Sequence, residues 1–325
     1  MADTTGPGQR HGTVSPGSLP AGNAAARLLD RPVSLLLVVG GFLALSTIIA
    51  KAAPVLGWHP LALLQWSILG GAAGLFALTR ISTLKGARTG EPVDRRKFAV
   101  YLGCSGLLFV VPNMIAVVAA SKVGAGFVSL SYAFPLVLTY AIAVLLRLEH
   151  LQLLRGGGVL AGLAGAVLLA VSGSHLSIEA SWWSILALSI PVFLAAGNIY
   201  RTLKWPKGAG PADLAVGMMA VGFVALVVFN TAMDTPAAPV SWTSGAIGLL
   251  VAQIAIFTLQ YGLYFRLQQT AGPVYLSQIG SVAAVTGLGL GYLIFGEIPD
   301  LARLGAVFSV GAGIVLVTMG RPRTP

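Results

Sequence analysis

The chain has 325 residues, of which 56% are hydrophobic and only 9% charged, and its mean hydropathy is +0.86. A soluble domain carries about 25% charged residues, so these proportions exclude a water-exposed globular surface. The net charge of +10 forms no nucleic-acid patch, because the basic residues sit in short loops between apolar runs, without aromatic interleaving.

Residues 1–31, rich in Gly, Pro, Ser and Ala, read as a disordered cytoplasmic tail. Ten apolar runs follow, predicted as membrane-crossing helices at 32–51, 60–79, 98–120, 126–146, 156–173, 181–201, 212–231, 244–265, 273–295 and 301–319. At about 1.5 Å per residue each approaches the thickness of a bilayer core. Run one holds Gly40-Gly41-Phe42 and ends at Lys51; run two holds Gln65-Trp66 and the spaced pair Gly70 and Gly74. Run three carries Pro112-Asn113, where the proline frees a carbonyl and bends the helix. Ser129, Ser131, Tyr132 and Pro135 follow in run four, and Gly156, Gly157, Gly158 and Gly162 in run five. Run six brings Pro191, Asn198 and Tyr200, and run eight Gln253, Gln260, Tyr261 and Tyr264. Tyr275, Ser277, Gln278 and Ser281 lie in run nine; Ser309 and Gly313 lie in run ten. Small residues at four-residue spacing let helix backbones approach closely in lipid.

Every loop is short except 81–97, leaving no room for a soluble catalytic domain. With the N-terminus inside, 17 of the 20 Lys and Arg fall on the cytoplasmic side, Arg201 and Lys204 among them. Only Lys51, Lys122 and Arg303 fall outside. This asymmetry orients the chain with both termini in the cytoplasm. The external lysines are expected to snorkel to the headgroups.

The second half partly repeats the first. An offset of 148 carries Gly124 onto Gly272, Ser129 onto Ser277, Glu149 onto Glu297, Gly157 onto Gly305 and Gly165 onto Gly313. An offset of 151 carries Phe42-Leu43-Ala44 onto Phe193-Leu194-Ala195 and Pro60 onto Pro211. Five crossings per copy place the copies in opposite orientations, over 32–173 and 181–320. The fold class is therefore all-α integral membrane, two inverted five-helix repeats, a plan of secondary transporters with a site between the halves.

Several chemistries are excluded. The dipeptide Gly-Lys occurs nowhere, so the chain holds no P-loop for ATP. His11, His59, His150 and His175 lack metal-ligand spacing, and Cys104 is the single cysteine. No cofactor, metal or enzymatic activity is expected. All ten acids, from Asp3 to Asp300, fall in tails, loops or helix ends, so a proton-carrying carboxylate at depth is missing. Facilitated diffusion or exchange down the substrate's gradient is expected. The polar groups at depth are neutral. Buried amides need a partner or a wet cavity, and the candidate substrate-binding residues are Asn113, Tyr132, Gln278, Asn198, Tyr261, Gln65 and Trp66.

The chain resembles the drug/metabolite transporter superfamily, in the branch built from two EamA-type five-helix repeats. The resemblance rests on Val123-Gly124-Ala125-Gly126, on Glu149 before the Gly-rich run five, and on Gly272-Pro273-Val274-Tyr275-Leu276-Ser277-Gln278. Phe295-Gly296-Glu297, Gly305, Gly313 and Gly197-Asn198-Ile199-Tyr200-Arg201-Thr202 complete it. The chain has Gly40-Gly41-Phe42 where a Trp-Gly pair is frequent in that family. The resemblance implies a central cavity between helices 1–4 and 6–9, with helices 5 and 10 peripheral. It also implies export of a small metabolite across an inner membrane by alternating access. Some members of that family move nucleotide sugars or sugar phosphates, which would favour cationic groups in the cavity; with no cation evident at depth, a neutral or zwitterionic compound such as an amino acid is expected. A non-transporting scaffold and a flippase for a lipid-linked intermediate stay open as alternatives, and no oligomeric state is implied.

Overall fold

The computed structural model describes residues 32–83, 94–147, 150–173, 178–298 and 300–319, and the described secondary structure is helical throughout. The tail at 1–31 and Glu149 lie outside the described residues. Seven spans are long and apolar enough to cross a membrane, and three shorter apolar helices at 153–165, 279–295 and 301–316 bring the set to ten. The chain is a multi-pass membrane protein.

Twelve helical segments make up the ten spans. They are α1 (Pro32–Ala52), α2 (Pro60–Thr83), α3 (Arg95–Val123), α4 (Ala125–Ser131), α5 (Pro135–Leu145) and α6 (Leu153–Gly173). The second half holds α7 (Ile178–Ala187), α8 (Ile190–Leu203), α9 (Pro211–Ala232), α10 (Ser244–Leu276), α11 (Ile279–Phe295) and α12 (Leu301–Met319). Span boundaries match expectation closely, with two exceptions. Helix α3 starts at Arg95 because the Asp94 carboxylate caps it, accepting from Arg96 N and Lys97 N. Helix α10 runs well past 265, then kinks at Gly272, whose φ of 74° and ψ of 174° lie outside the helical region.

Spans four, six and nine were expected as continuous helices; each is broken. Span four breaks between α4 and α5, span six between α7 and α8, and span nine after the short piece 273–276. Prolines set two of the three restarts. Pro135 and Pro191 sit in the first turn of α5 and α8, where the missing N–H costs nothing. At each break the backbone tightens into i→i−3 bonds: Tyr132 N to Ser129 O, Ser189 N to Leu186 O, and Gln278 N to Tyr275 O, at 3.0–3.2 Å. The polar backbone stays satisfied while the helix phase shifts. Gly280 lies directly against the Tyr132 carbonyl, so the breaks in spans four and nine meet each other.

The packing separates a body from a spine. Helix α1 packs on α11, α2 on α9 and α10, and α3 on α8 and α9. Helices α6 and α12 pack chiefly on one another. A methyl group on Gly313 would come within 2.8 Å of the Gly158 carbonyl oxygen, so there the two backbones touch. A Cβ on Gly70 or Gly74 would likewise strike Ile254 or Thr258 of α10 at 2.6 Å. The small-residue spacings read from the sequence thus serve close helix packing.

Candidate functional site

A narrow cavity of about 60 Å³ opens in the body of the bundle. Adjoining hollows extend it toward Ser46, Thr47 and Ala50 on one side and toward Asn198 and Ser277 on the other. The lining comes from spans one, three, four, six, seven, eight and nine; among the described residues, spans five and ten contribute none of it.

The expected site residues divide. Asn113, Tyr132, Tyr261 and Asn198 all line this space. Asn113 sits after the internal Pro112, and its Nδ2 donates to Phe109 O at 2.7 Å. Tyr132 occupies the break in span four and is 4% exposed. Tyr261 is held edge-on by Phe109 and Phe257, with ring centroids 4.9 and 5.2 Å away. Gln278 lies at the break in span nine, half-buried, and is not among the lining residues. Gln65 and Trp66 are placed elsewhere. Gln65 accepts from Asn230 Nδ2 at 2.8 Å and so ties α2 to α9. Trp66 points outward and donates to Ala237 O. A helix carries polar residues on any face, and the sequence spacing of one pair cannot say which face meets the cavity.

Two hydrogen bonds tie the first span of each half to the broken span opposite. Thr47 Oγ1 meets Ser129 Oγ at 2.8 Å. Asn198 Nδ2 donates to Ser277 Oγ at 3.2 Å. The offset of 151 carries position 47 onto 198, and that of 148 carries 129 onto 277. The same comparison pairs Gly124 with Gly272, both at positive φ (96° and 74°) and extended ψ, a backbone that suits glycine alone.

The structure overturns one expectation outright: the cavity contains a cation. Arg201, counted from sequence among the loop residues, is 3% exposed and lines the main cavity. Its side chain folds back one turn along α8 instead of reaching for water. A Cβ on Gly197 would stand 2.9 Å from its Nη1, so the glycine makes the space that the guanidinium fills. Arg201 Nη2 donates to Tyr264 Oη at 2.7 Å and to Asn198 Oδ1 at 3.0 Å. Tyr264 Oη in turn donates to Asn198 Oδ1. Gln268 fixes the same turn by donating to Asn198 O and Thr202 Oγ1, each at 3.2 Å. All partners of Arg201 are neutral, and its Nε has no hydrogen-bond partner among the described residues. Gln260, also missed as a lining residue, presents a buried Oε1 without a partner. The available signal was Gly197, one turn before an arginine near a helix end.

Lys51 departs from expectation too. It pairs with Glu297, and its Nζ stands 4.5 Å from the centroid of the Phe295 ring. Glu297 also accepts from Ala125 N at 2.9 Å and Gly126 N at 2.8 Å, capping α4. Gly124, Gly126 and Gly291 form the cradle: a Cβ on any of them would press on the carboxylate at 2.9–3.1 Å. The pair adjoins Ala50, the last lining residue of α1.

Comparisons with known proteins bear on this geometry. No family model matches the chain. It is 28% identical over 183 residues to a WAT1-related chloroplastic protein of Arabidopsis thaliana, a match covering 53% of this chain and 42% of that protein. Over 211 residues it is 28% identical to a probable terminal-alkyne amino-acid exporter of Streptantibioticus cattleyicolor, covering 62% of this chain and 67% of the exporter. The chain thus spans less than half of the first relative and about two thirds of the second. These are distant homologues, and one of them is named as an exporter. A crystal structure of another protein superposes with a TM-score of 0.61 over 93% of this chain and all of that one. At 18% identity that likeness establishes the fold alone.

Proposed function

We propose that the chain is a secondary transporter of the drug/metabolite transporter superfamily, exporting an amino acid or similar zwitterionic metabolite across an inner membrane. Its two EamA-type repeats, 32–173 and 181–320, are inverted about the cavity, and both termini are cytoplasmic. The observation that carries this reading is the cavity itself. It is walled by seven spans, interrupted by helix breaks at the depth of Tyr132 and Asn198, and lined by a few convergent polar groups on an otherwise apolar wall. The paired Thr47–Ser129 and Asn198–Ser277 bonds support the inverted repeat, and the distant exporter supports the substrate class. Broken spans facing one another supply hinges, so one half rocks against the other while the spine of α6 and α12 stays packed.

The test is counterflow in proteoliposomes preloaded with one amino acid at a time, propargylglycine (the simplest terminal-alkyne amino acid) included. Saturable exchange of labelled amino acid, absent from protein-free vesicles, is the expected result. Absence of exchange for every amino acid tried rejects this substrate class. Reporter fusions at 84–93 and at Asp234 check the topology: opposite sides are expected, and the same side for both would end the inverted-repeat reading.

A further inference from the structure

The charge balance of the cavity names the chemical group that its ligand must carry. Arg201 is the only ionisable side chain of formal charge among the lining residues; the rest are apolar, amide, hydroxyl or phenol groups. A guanidinium at the end of a membrane helix ordinarily snorkels to water. This one turns inward into a space kept open by Gly197, is nine-tenths buried and more, and keeps one donor unused. Its position in the last turn of α8 lets the helix dipole offset part of the charge. Neutral oxygens of Asn198 and Tyr264 offset some of the remainder, yet no carboxylate among the described residues reaches it. A buried cation without a counter-ion is costly, and an arrangement that holds one in a fixed orientation is a site for an anion.

We propose that Arg201 anchors the carboxylate of the transported molecule, with Tyr264 and Asn198 as positioning residues that aim the guanidinium and Gly197 as the gap that admits it. This deepens the transporter reading above and rests on it. A single cation in an apolar wall matches a single carboxylate. A phosphomonoester dianion would leave a net negative charge with no second cation to meet it. The rest of the ligand then lies against Leu43, Leu194, Met218 and Ile279. For an amino acid, the free Oε1 of Gln260, one turn of α10 from Tyr264, is a neutral acceptor for the ammonium group.

The experiment measures thermal shifts of the purified full-length chain in detergent. Its probes are the proteinogenic amino acids and propargylglycine, each beside its C-terminal amide. The acid that stabilises the protein is expected to do so at least 10-fold more tightly than its amide, since one charge-assisted hydrogen-bonded contact is worth roughly 10- to 100-fold in affinity. Arg201→Gln is expected to abolish the acid's advantage while leaving the unliganded melting temperature no lower than wild type, a result that a purely structural arginine would not give. Gly197→Ala guards against misfolding of that variant. Its methyl displaces only the flexible end of Arg201, and about 10-fold weaker binding of the acid is expected at an unchanged melting temperature. Equal shifts from acids and amides, or an undiminished preference in Arg201→Gln, overturn the anchor and leave the transporter reading standing. No shift from any acid, together with no counterflow, overturns both.

Discussion

Two cations, Lys51 half-buried and Arg201 fully buried, sit at opposite ends of the cavity wall, and they are treated differently. Lys51 has a carboxylate partner in Glu297, and that carboxylate is itself satisfied by two backbone amides at the start of α4. Among the described residues Arg201 has only neutral partners and an unused donor. The first arrangement is closed: each charge meets an opposite one inside the protein, and three glycines crowd round the carboxylate. The second is open, with its balance left to a ligand. A charge that is fully paired stabilises a structure, whereas one left unpaired in a cavity is available for recognition.

That contrast makes different demands on substitution. The largest effect on stability is expected from Glu297→Ala, which strands Lys51 and uncaps α4. Unfolding in mixed micelles should show a loss of about 2–4 kcal/mol. A loss under 0.5 kcal/mol would mean that the closed end is not closed by this pair. Gly126→Ala is expected to cost less, about 1–2 kcal/mol, because its methyl presses on the Glu297 carboxylate at 2.9 Å without removing it. Tyr132→Ala and Asn113→Ala, on the open side, should depress saturable counterflow severalfold while the amount of folded protein changes little. Equal loss of folded protein in both would assign them to packing.

The smallest effect belongs to a carboxylate in water. Asp94 caps α3 as Glu297 caps α4, and the backbone amides of Lys97 and Arg96 hold its carboxyl below the usual aspartate range. A depressed value means that the capped start of α3 is favoured at neutral pH and loses that support only as the pH falls through the lowered pKa. Hydrogen exchange of the Arg96 and Lys97 amides should therefore stay protected near pH 5 and quicken, relative to neighbouring amides, well below pH 4. Onset already at pH 5 would contradict the direction of the shift.

The spans were legible because hydrophobic length is a property of the linear sequence. The breaks were half legible: Pro135, Pro191 and Gly272 are visible as residues, but whether a proline bends a helix or restarts one depends on what the neighbouring spans accept. Asn113, Tyr132, Asn198 and Tyr261 were recognisable as polar groups too deep to be idle, and the fold brings them to one space. Gln65 failed because a buried amide finds its partner, Asn230, between helices as readily as in a cavity. Arg201 failed for a different reason. Its Cα lies near a helix end, where charge counting assigns it to the loop, and only the direction of a long side chain carries it inward. Lys51 shows the same blindness, since its partner is 246 residues away.

For the exporter proposed above, the unbalanced guanidinium also bears on the kinetics of the cycle. In an alternating-access carrier the site must become exposed to each side in turn. An empty cavity would make that transition with an unpaired guanidinium walled in hydrocarbon, whereas a loaded cavity would make it with that guanidinium paired to the substrate carboxylate. In the proposed carrier, dielectric cost would therefore slow the return of the unloaded form more than the passage of the loaded one. A protein with this asymmetry trades one molecule for another faster than it empties a vesicle. Its net output is then governed by how much substrate waits on the far side.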